Sequence, residues 1–267
     1  MVMRAILKYP GSKWRLARWI ISHFPSHHSY LEPYFGSGAV LFNKPRSNIE
    51  TVNDLDGDVV NLFRWIRRDP ERLAYEVYYT PYSRQVYDEV FATEPESGLE
   101  RAVSFYVRLQ MGHGFRANEK AGWKNDVQGR EKAYAARDWR TLPERILEAA
   151  ERLREVQIER RPAVDLIRRF NYLNVLIYAD PPYMLGTRHG RQYRCEMTDE
   201  DHEELLEALL SHRGPALISG YDNPLYNDRL RGWRREEAVS YTQATKRRIE
   251  VLWMNFDPEA RREMTFE

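Results

Sequence analysis

Tyr30-Leu31-Glu32-Pro33-Tyr34-Phe35-Gly36-Ser37-Gly38-Ala39-Val40-Leu41-Phe42 runs from an apolar pair through a glycine-bearing turn into a second apolar run, and Ile49-Glu50-Thr51-Val52-Asn53-Asp54 follows closely. The order reads as strand, turn, helix, strand. Val59, Leu62, Phe63 and Ile66 then recur at helical spacing up to Pro70. The last third repeats the alternation. Asn174 to Ala179 is a short buried strand, Thr198-Asp199-Glu200-Asp201 caps a helix bearing Leu205, Leu206, Leu209 and Leu210, Ala216 to Ser219 is the next strand, and Arg248 to Phe256 alternates as another. Strands separated by helices of this length predict an α/β protein whose mostly parallel sheet is covered on both faces.

The glycines of Glu32 to Gly38 allow a tight turn and close approach of a ligand to the backbone. Leu41 stands where the third glycine of a dinucleotide fingerprint would fall, so the turn by itself is a weak signal. Asp54 ends the next strand 16 residues after Gly38, near the ~20-residue offset at which an acid accepts hydrogen bonds from ribose hydroxyls. A plain strand-turn-helix corner with a capping Asp explains the same residues.

Asp180-Pro181-Pro182-Tyr183 follows the strand Val175 to Ala179 directly. Prolines donate no backbone hydrogen bond and stiffen the turn, which leaves the Asp carboxylate and the proline carbonyls as acceptors at the carboxyl end of a strand, where ligands bind in such folds. An acceptor-only pocket beside an aromatic ring suits an exocyclic amine. Its two N–H groups would donate to Asp180 and to the Pro181 carbonyl, with Tyr183 stacked on the ring that bears it.

Together these motifs resemble the DNA adenine-N6 methyltransferases, the family of bacterial and phage DNA adenine methylases in the alpha group of amino methyltransferases. The resemblance runs through nearly the whole chain in family order: Lys8-Tyr9-Pro10-Gly11-Ser12-Lys13, Glu32 to Gly38, Asn53-Asp54, a variable middle, Asp180 to Tyr183 and Arg248-Ile249-Glu250-Val251-Leu252. It implies a Rossmann-like S-adenosylmethionine-dependent methyltransferase sheet carrying an inserted, mostly helical target-recognition module. It also implies S-adenosylmethionine as methyl donor, held by Tyr9, Lys13, Glu32, Phe35, Gly36, Gly38, Asp54 and Asp180, with Asp180, Pro181, Pro182 and Tyr183 catalytic. One departure concerns the donor's adenine. Pro162 stands where many relatives have an Asp, and Asp165 comes three residues later.

The expected division is a core of residues 1–75 and 158–267 interrupted by a recognition module, 76–157. Arg84 to Phe91, Glu100 to Met111 and Leu142 to Val156 have helical apolar spacing, whereas Gly112 to Arg140 shows no sustained period and reads as a long basic loop that either is a binding element or holds a short hairpin. Net charge is only +1, yet Arg101 to Phe170 carries 16 Lys and Arg against 10 Asp and Glu. Such a basic stretch is the footprint of a phosphate-contacting surface, although Glu/Arg pairs on an exposed helix give the same count. Within the loop, Arg116, Lys120, Trp123, Lys124, Arg130 and Arg137 are the expected contacts to double-stranded DNA. Arg116 and Arg137, beside Phe115 and Trp139, are the first candidates for reading bases.

With 42% hydrophobic residues the 267-residue chain has enough apolar material for a real interior, which excludes global disorder. One cysteine, Cys195, makes no internal disulfide and no Cys-rich zinc site, and it reads as an ordinary thiol. The seven histidines, His27, His28 and His202 among them, show no metal-binding spacing, so no metal is expected and surface positions are the default. Trp19 and Trp65 read as core. No run approaches the ~18 apolar residues of a membrane helix, and the N-terminus lacks a signal-like apolar core. The expectation is a cytoplasmic enzyme, a monomer or a transient dimer on DNA. An amino methyltransferase acting on RNA, cytosine N4 or a protein amide is the alternative, and a non-catalytic DNA-binding protein on a methyltransferase frame is the third reading. The intact Asp180 to Tyr183 argues against the last.

Overall fold

A computed structural model describes residues 3–115, 119–127, 134–187, 192–241 and 247–258. In chain order its elements are α1 (Ala17–Ser22), β1 (Ser29–Glu32), β2 (Ile49–Asn53), α2 (Gly57–Arg68), α3 (Pro70–Tyr79), α4 (Arg84–Ala92), α5 (Gly98–Met111), α6 (Tyr134–Arg140), α7 (Leu142–Leu153), β3 (Val156–Glu159), α8 (Ala163–Arg169), β4 (Val175–Ala179), α9 (Asp199–Leu210), β5 (Ala216–Tyr221), α10 (Pro224–Arg229), β6 (Arg234–Tyr241) and β7 (Arg247–Met254). The strands form one sheet in the order β3-β2-β1-β4-β5-β7-β6. The first five pair in parallel, while β7 lies antiparallel between β5 and β6. Strand order reverses between β1 and β4, so the crevice beyond their carboxyl ends is the position at which such sheets bind ligands.

Successive side chains along a strand point to opposite faces, and the sequence supplies apolar residues for both. Tyr30, Leu176, Tyr178, Leu217 and Leu252 enter one hydrophobic cluster, with α2, α3, α5 and α7 packed on it. Leu31, Ile177, Ala179, Ile218, Val251 and Trp253 enter the other, under α8, α9 and α10. Burying each such side chain stabilises the fold by roughly 1.5–3 kcal/mol. Local signals set the helix starts. Asp56 caps α2 by accepting from the Asp58 N–H, and Thr198 and Asp201 cap α9 reciprocally at 3.2 and 2.7 Å.

Two expectations need correction, and two elements, α6 and β6, went unread. The run Ala39 to Phe42 forms consecutive turns, with Phe42 N–H bonded to the Gly38 carbonyl at 3.0 Å, and no regular helix follows. The loop from Gly112 to Arg140 contains helix α6, too short to show a period, and a narrow antiparallel stem. In that stem Gly112 bridges Trp123, His113 N–H bonds Gly122 O at 2.8 Å and Lys124 N–H bonds Met111 O at 2.7 Å. Strand β6 had no reading in the sequence. His202 is fully buried rather than on the surface, where its Nδ1 lies 2.9 Å from the Tyr226 hydroxyl; His27 is half-buried and His28 exposed. Trp19 and Trp65 pack half-buried against the first cluster.

The boundaries near 75 and 157 fall inside packed structure. Helix α7 packs on α2 and α3, and β3 begins at Val156 as the sheet's edge beside β2. No helix among the described residues is long and apolar enough to cross a membrane.

Candidate active site

A cavity of about 240 Å³ opens at the carboxyl ends of β1, β2 and β4. Its floor is the turn after β1. Gly36 takes φ 48° and Gly38 φ 68°, backbone that L side chains rarely adopt. A Cβ on Gly36 would stand 3.3 Å from the Tyr9 ring, and one on Gly38 would stand 2.5 Å from Phe42. Gly36 therefore faces the cavity. Gly38 stands behind the wall, where it lets the Phe35 and Phe42 rings close on each other at 6.1 Å. Phe35 lines the cavity and is buried.

Asp54 ends the strand beside this turn. Its Oδ2 accepts the Gly36 N–H at 2.8 Å and its Oδ1 the Asp56 N–H at 2.9 Å, and the Leu55 N–H is a third backbone donor to it, which leaves part of its acceptor capacity for a ligand hydroxyl. Burial raises the Asp54 carboxyl to about 7 although those N–H groups oppose the shift. Glu32, at the end of β1, accepts from the Tyr30 hydroxyl at 2.8 Å, and burial lifts it to about 8. Tyr9 is buried against the cavity and its hydroxyl donates to Asp56 at 3.2 Å.

The wall beyond β4 contains Asp180. Lys13 Nζ lies 3.0 Å from Asp180 Oδ1, and the Ser219 hydroxyl donates to the same oxygen at 2.7 Å. Lys13 is buried, which by itself disfavours its charge, but Asp180 and Glu250 more than offset this and raise its pKa. Its ammonium also stands 4.7 Å from the Tyr183 ring centroid. Pro182 lines the cavity, Pro181 is buried behind it, and Tyr183 is buried beside Lys13.

The structure adds residues with no role in the sequence reading. Tyr193 reaches over the site from the segment before α9, with its ring 6.0 Å from that of Tyr9. Arg194 pairs with Asp58 at 2.6 Å and Asp56 at 3.6 Å beside it. Asp56 was legible as the acid preceding a helix; Tyr193 and Arg194 carried no local signal. Pro162 and Asp165 both line the cavity, so the departure at Pro162 leaves an acid nearby. Cys195 lines it too, with burial first and the neighbouring acids next raising its thiol pKa. No cluster of acids, His and Cys suited to a metal ion occurs among the described residues.

Of the expected DNA contacts, Arg116 and Arg130 lie outside the described residues. Lys120 is half exposed and paired with Asp88 at 2.8 Å. Lys124 is half-buried, its Nζ donates to Gln110 O at 3.1 Å, and burial, then the Lys8 charge, lowers its pKa to about 8. Trp123 is clamped between Tyr82, at 5.5 Å, and the Arg84 guanidinium, at 4.9 Å. Arg137 is exposed on α6.

A sheet of this order with an acceptor-only Asp-Pro-Pro-Tyr corner at its switch point has a Rossmann-like methyltransferase fold. The D12 class N6 adenine-specific DNA methyltransferase family matches residues 9–244, and the chain belongs to it. It is similar to the DNA adenine methylases of Salmonella typhi, 26% identical with 96% of each chain covered, and of Vibrio cholerae O1 and Escherichia coli K12, each 25% identical with 96% of each chain covered. The protein is an adenine-specific DNA methyltransferase.

Proposed function

We propose that the chain moves a methyl group from S-adenosylmethionine to N6 of an adenine flipped out of double-stranded DNA. The observation that carries this reading is Asp180, whose carboxylate already holds an ammonium, that of Lys13, at the edge of an acidic cavity. The cavity lining, counted over the described residues, includes eight acidic side chains, of which burial raises Glu32 to about 8 and Asp54 to about 7, and one cation, Lys13. Such a wall suits a sulfonium and repels the pyrophosphate of a nicotinamide dinucleotide. When bound, S-adenosylmethionine supplies an electrophilic methyl group on a positively charged sulfur.

Each residue then has a stated task. Asp54 uses its remaining acceptor capacity for the ribose hydroxyls, and the Phe35–Gly36 turn, Tyr9 and Lys13 hold the methionine moiety. Glu32 supplies acceptor character beneath it. Asp180 and the Pro181 carbonyl accept the two N6–H bonds, which favours a pyramidal nitrogen whose lone pair points at the methyl group rather than into the ring. Tyr183 stacks on the base. As the new N–C bond forms, the methyl–sulfur bond would break with its electron pair returning to sulfur to leave a neutral thioether; positive charge grows on N6 beside preorganised acceptors, and one N6 proton is then released past Asp180 to solvent. Extracting the base costs a few kcal/mol, offset by these contacts.

The segment 76–157 serves as the recognition module, with the stem-and-helix loop from Gly112 to Arg140 against duplex DNA. The chain works as a monomer or a transient dimer on DNA, in the cytoplasm. The test is incubation with unmethylated duplex DNA and labelled S-adenosylmethionine, digestion to nucleosides and mass spectrometry. N6-methyldeoxyadenosine is expected. Label found only in N4-methyldeoxycytidine, or only with RNA or protein as acceptor, overturns the reading.

A further inference from the structure

The site holds a contact to which the reaction scheme gives no task. The Tyr183 hydroxyl donates a 2.6 Å hydrogen bond to Glu250 Oε2, and both residues are buried. They are 67 residues apart in sequence, and the sheet brings them together: β7 runs antiparallel beside β5, with Glu250 opposite Tyr221. Tyr221 in turn meets the Tyr183 ring edge-on, centroids 4.7 Å apart at 72°. Lys13 stands over the ring at 4.7 Å. Glu250 is the acid in a strand whose next four residues, Val251, Leu252, Trp253 and Met254, are wholly apolar and buried. A carboxylate in such a row is costly to bury unless it is paired and hydrogen-bonded, and its partner here is the ring on which the target base is to stack.

We propose that Glu250 is a positioning residue for methyl transfer, acting through the Tyr183 hydroxyl to fix the plane on which the target base stacks. The inference rests on the reading of Tyr183 as that stacking surface. Two physical effects follow from the contact. A carboxylate that accepts a phenolic proton at this distance makes a short, charge-assisted bond, stronger and more directional than a neutral one, so the ring plane is held. Loss of alignment between nucleophile and methyl group by as little as 1 Å lowers a rate about 100-fold. In addition, donation of its proton toward the carboxylate gives the phenol oxygen phenolate character, which pushes electron density into the ring and makes its face more negative, favouring a neighbouring positive charge, whether the Lys13 ammonium or the charge growing on N6. Glu250 touches neither base nor donor in this scheme; its positioning effect passes through Tyr183, while its charge also supports the Lys13 ammonium.

The test uses the full chain, unmethylated bacterial genomic DNA and labelled S-adenosylmethionine under single-turnover conditions. Glu250→Leu, close in shape but without an acceptor, is expected to slow methyl transfer about 10- to 100-fold with the donor Kd changed less than about threefold. Glu250→Gln, whose amide oxygen still accepts the hydroxyl, is expected to recover most of that loss. In a Tyr183→Phe background, Glu250→Leu is expected to add less than about twofold, because the bond it would break is already gone. A Glu250→Leu protein at native speed overturns the proposal, and so does a penalty that persists undiminished in the Tyr183→Phe background. Should Glu250→Leu not fold, Tyr183→Phe decides: slowing by a similar factor, with Glu250→Gln adding nothing to it, supports the proposal, and native speed overturns it. Failure of the native chain to make N6-methyldeoxyadenosine would instead strike the reaction assignment, so the two failures are distinguishable.

Discussion

The crevice between β1 and β4 and the basic loop beyond α5 handle charge in opposite ways. In the crevice, Lys13, Asp180, Glu32 and Glu250 are buried or nearly so; Lys13, Asp180 and Glu250 are joined to partners far away in sequence and Glu32 to Tyr30 on its own strand. In the loop, Lys120 pairs at the surface with Asp88, and Arg137 is exposed. Buried pairs resist screening and hold atoms in place, at the risk of a large penalty when one partner is removed. Exposed cations exert a longer-ranged, salt-sensitive pull and adapt to a substrate's shape. On the proposed reading one region serves geometry and the other capture.

That contrast breaks first at Asp180. Asp180→Ala is expected to reduce methyl transfer by about 1000-fold or more, since it removes an acceptor from the reacting nitrogen. It also leaves the Lys13 ammonium without its nearest carboxylate, and unfolding stability is expected to fall by about 3 kcal/mol or more. Asp180→Asn, which keeps an acceptor for Ser219, should recover some stability but little activity. Labelled-methyl assays run beside thermal denaturation separate the two effects, and normal turnover in either variant removes the mechanism.

Asp54 is the next test. Asp54→Ala is expected to weaken donor affinity about 10- to 100-fold by calorimetry while the rate at saturating donor changes less, because the ribose contacts lie away from the reacting centre. The reverse pattern would place Asp54 in the chemistry instead.

In the loop the expected effects are smaller and depend on salt. Arg137→Ala should weaken duplex binding several-fold and lower the slope of log affinity against log salt by roughly one unit, or else relax the methylated site at one position. Lys124→Ala should do less to that slope, since its amine is half-buried, bonded to Gln110 O and lowered to about 8. Equal slopes for the two variants would show that exposure does not distinguish these cations.

What could be read in the sequence follows the same division. Short apolar runs marked β1, β4 and β5, which are buried on both faces; the run Ile49 to Asp54 marked β2, an alternating run marked β7, and period-3.6 spacing marked α2 and α9, two helices that each bury one face. The strained turn was visible in Gly36 and Gly38, and the acceptor corner in Asp180 to Tyr183. The antiparallel register that puts Glu250 under Tyr183 was not visible, since pairing across 67 residues leaves no local mark. Strand β6 escaped because its Arg234-Arg235-Glu236-Glu237 start is the charged face of a sheet edge, which reads as solvated chain. His202 escaped because an imidazole bonded to Tyr226 buries well inside a helix that otherwise looks amphipathic.

The last expected effect concerns Glu32, and its sign follows from burial. The carboxyl rises from 4.5 to about 8, first through desolvation, then through the Asp180 charge, with the Tyr30 hydrogen bond opposing. The folded protein therefore holds this proton more tightly than the unfolded chain. Glu32's contribution to stability is fully present below pH 4.5 and is lost as pH rises through about 8. Asp54, raised to about 7, acts in the same direction, whereas His27 and His212, lowered mainly by burial, act in the opposite one. All three remain in Glu32→Gln, so the difference between native and variant proteins isolates Glu32. Between pH 5 and 8.5 the denaturation midpoint of the native protein is expected to fall more steeply than that of Glu32→Gln, whose amide does not titrate. Saturating S-adenosylmethionine should narrow the gap, because a cation in the cavity favours the ionised carboxylate and releases its proton. Parallel midpoint curves without ligand would show that Glu32 does not carry this linkage, and an unchanged gap with ligand would show that the donor's charge does not reach it.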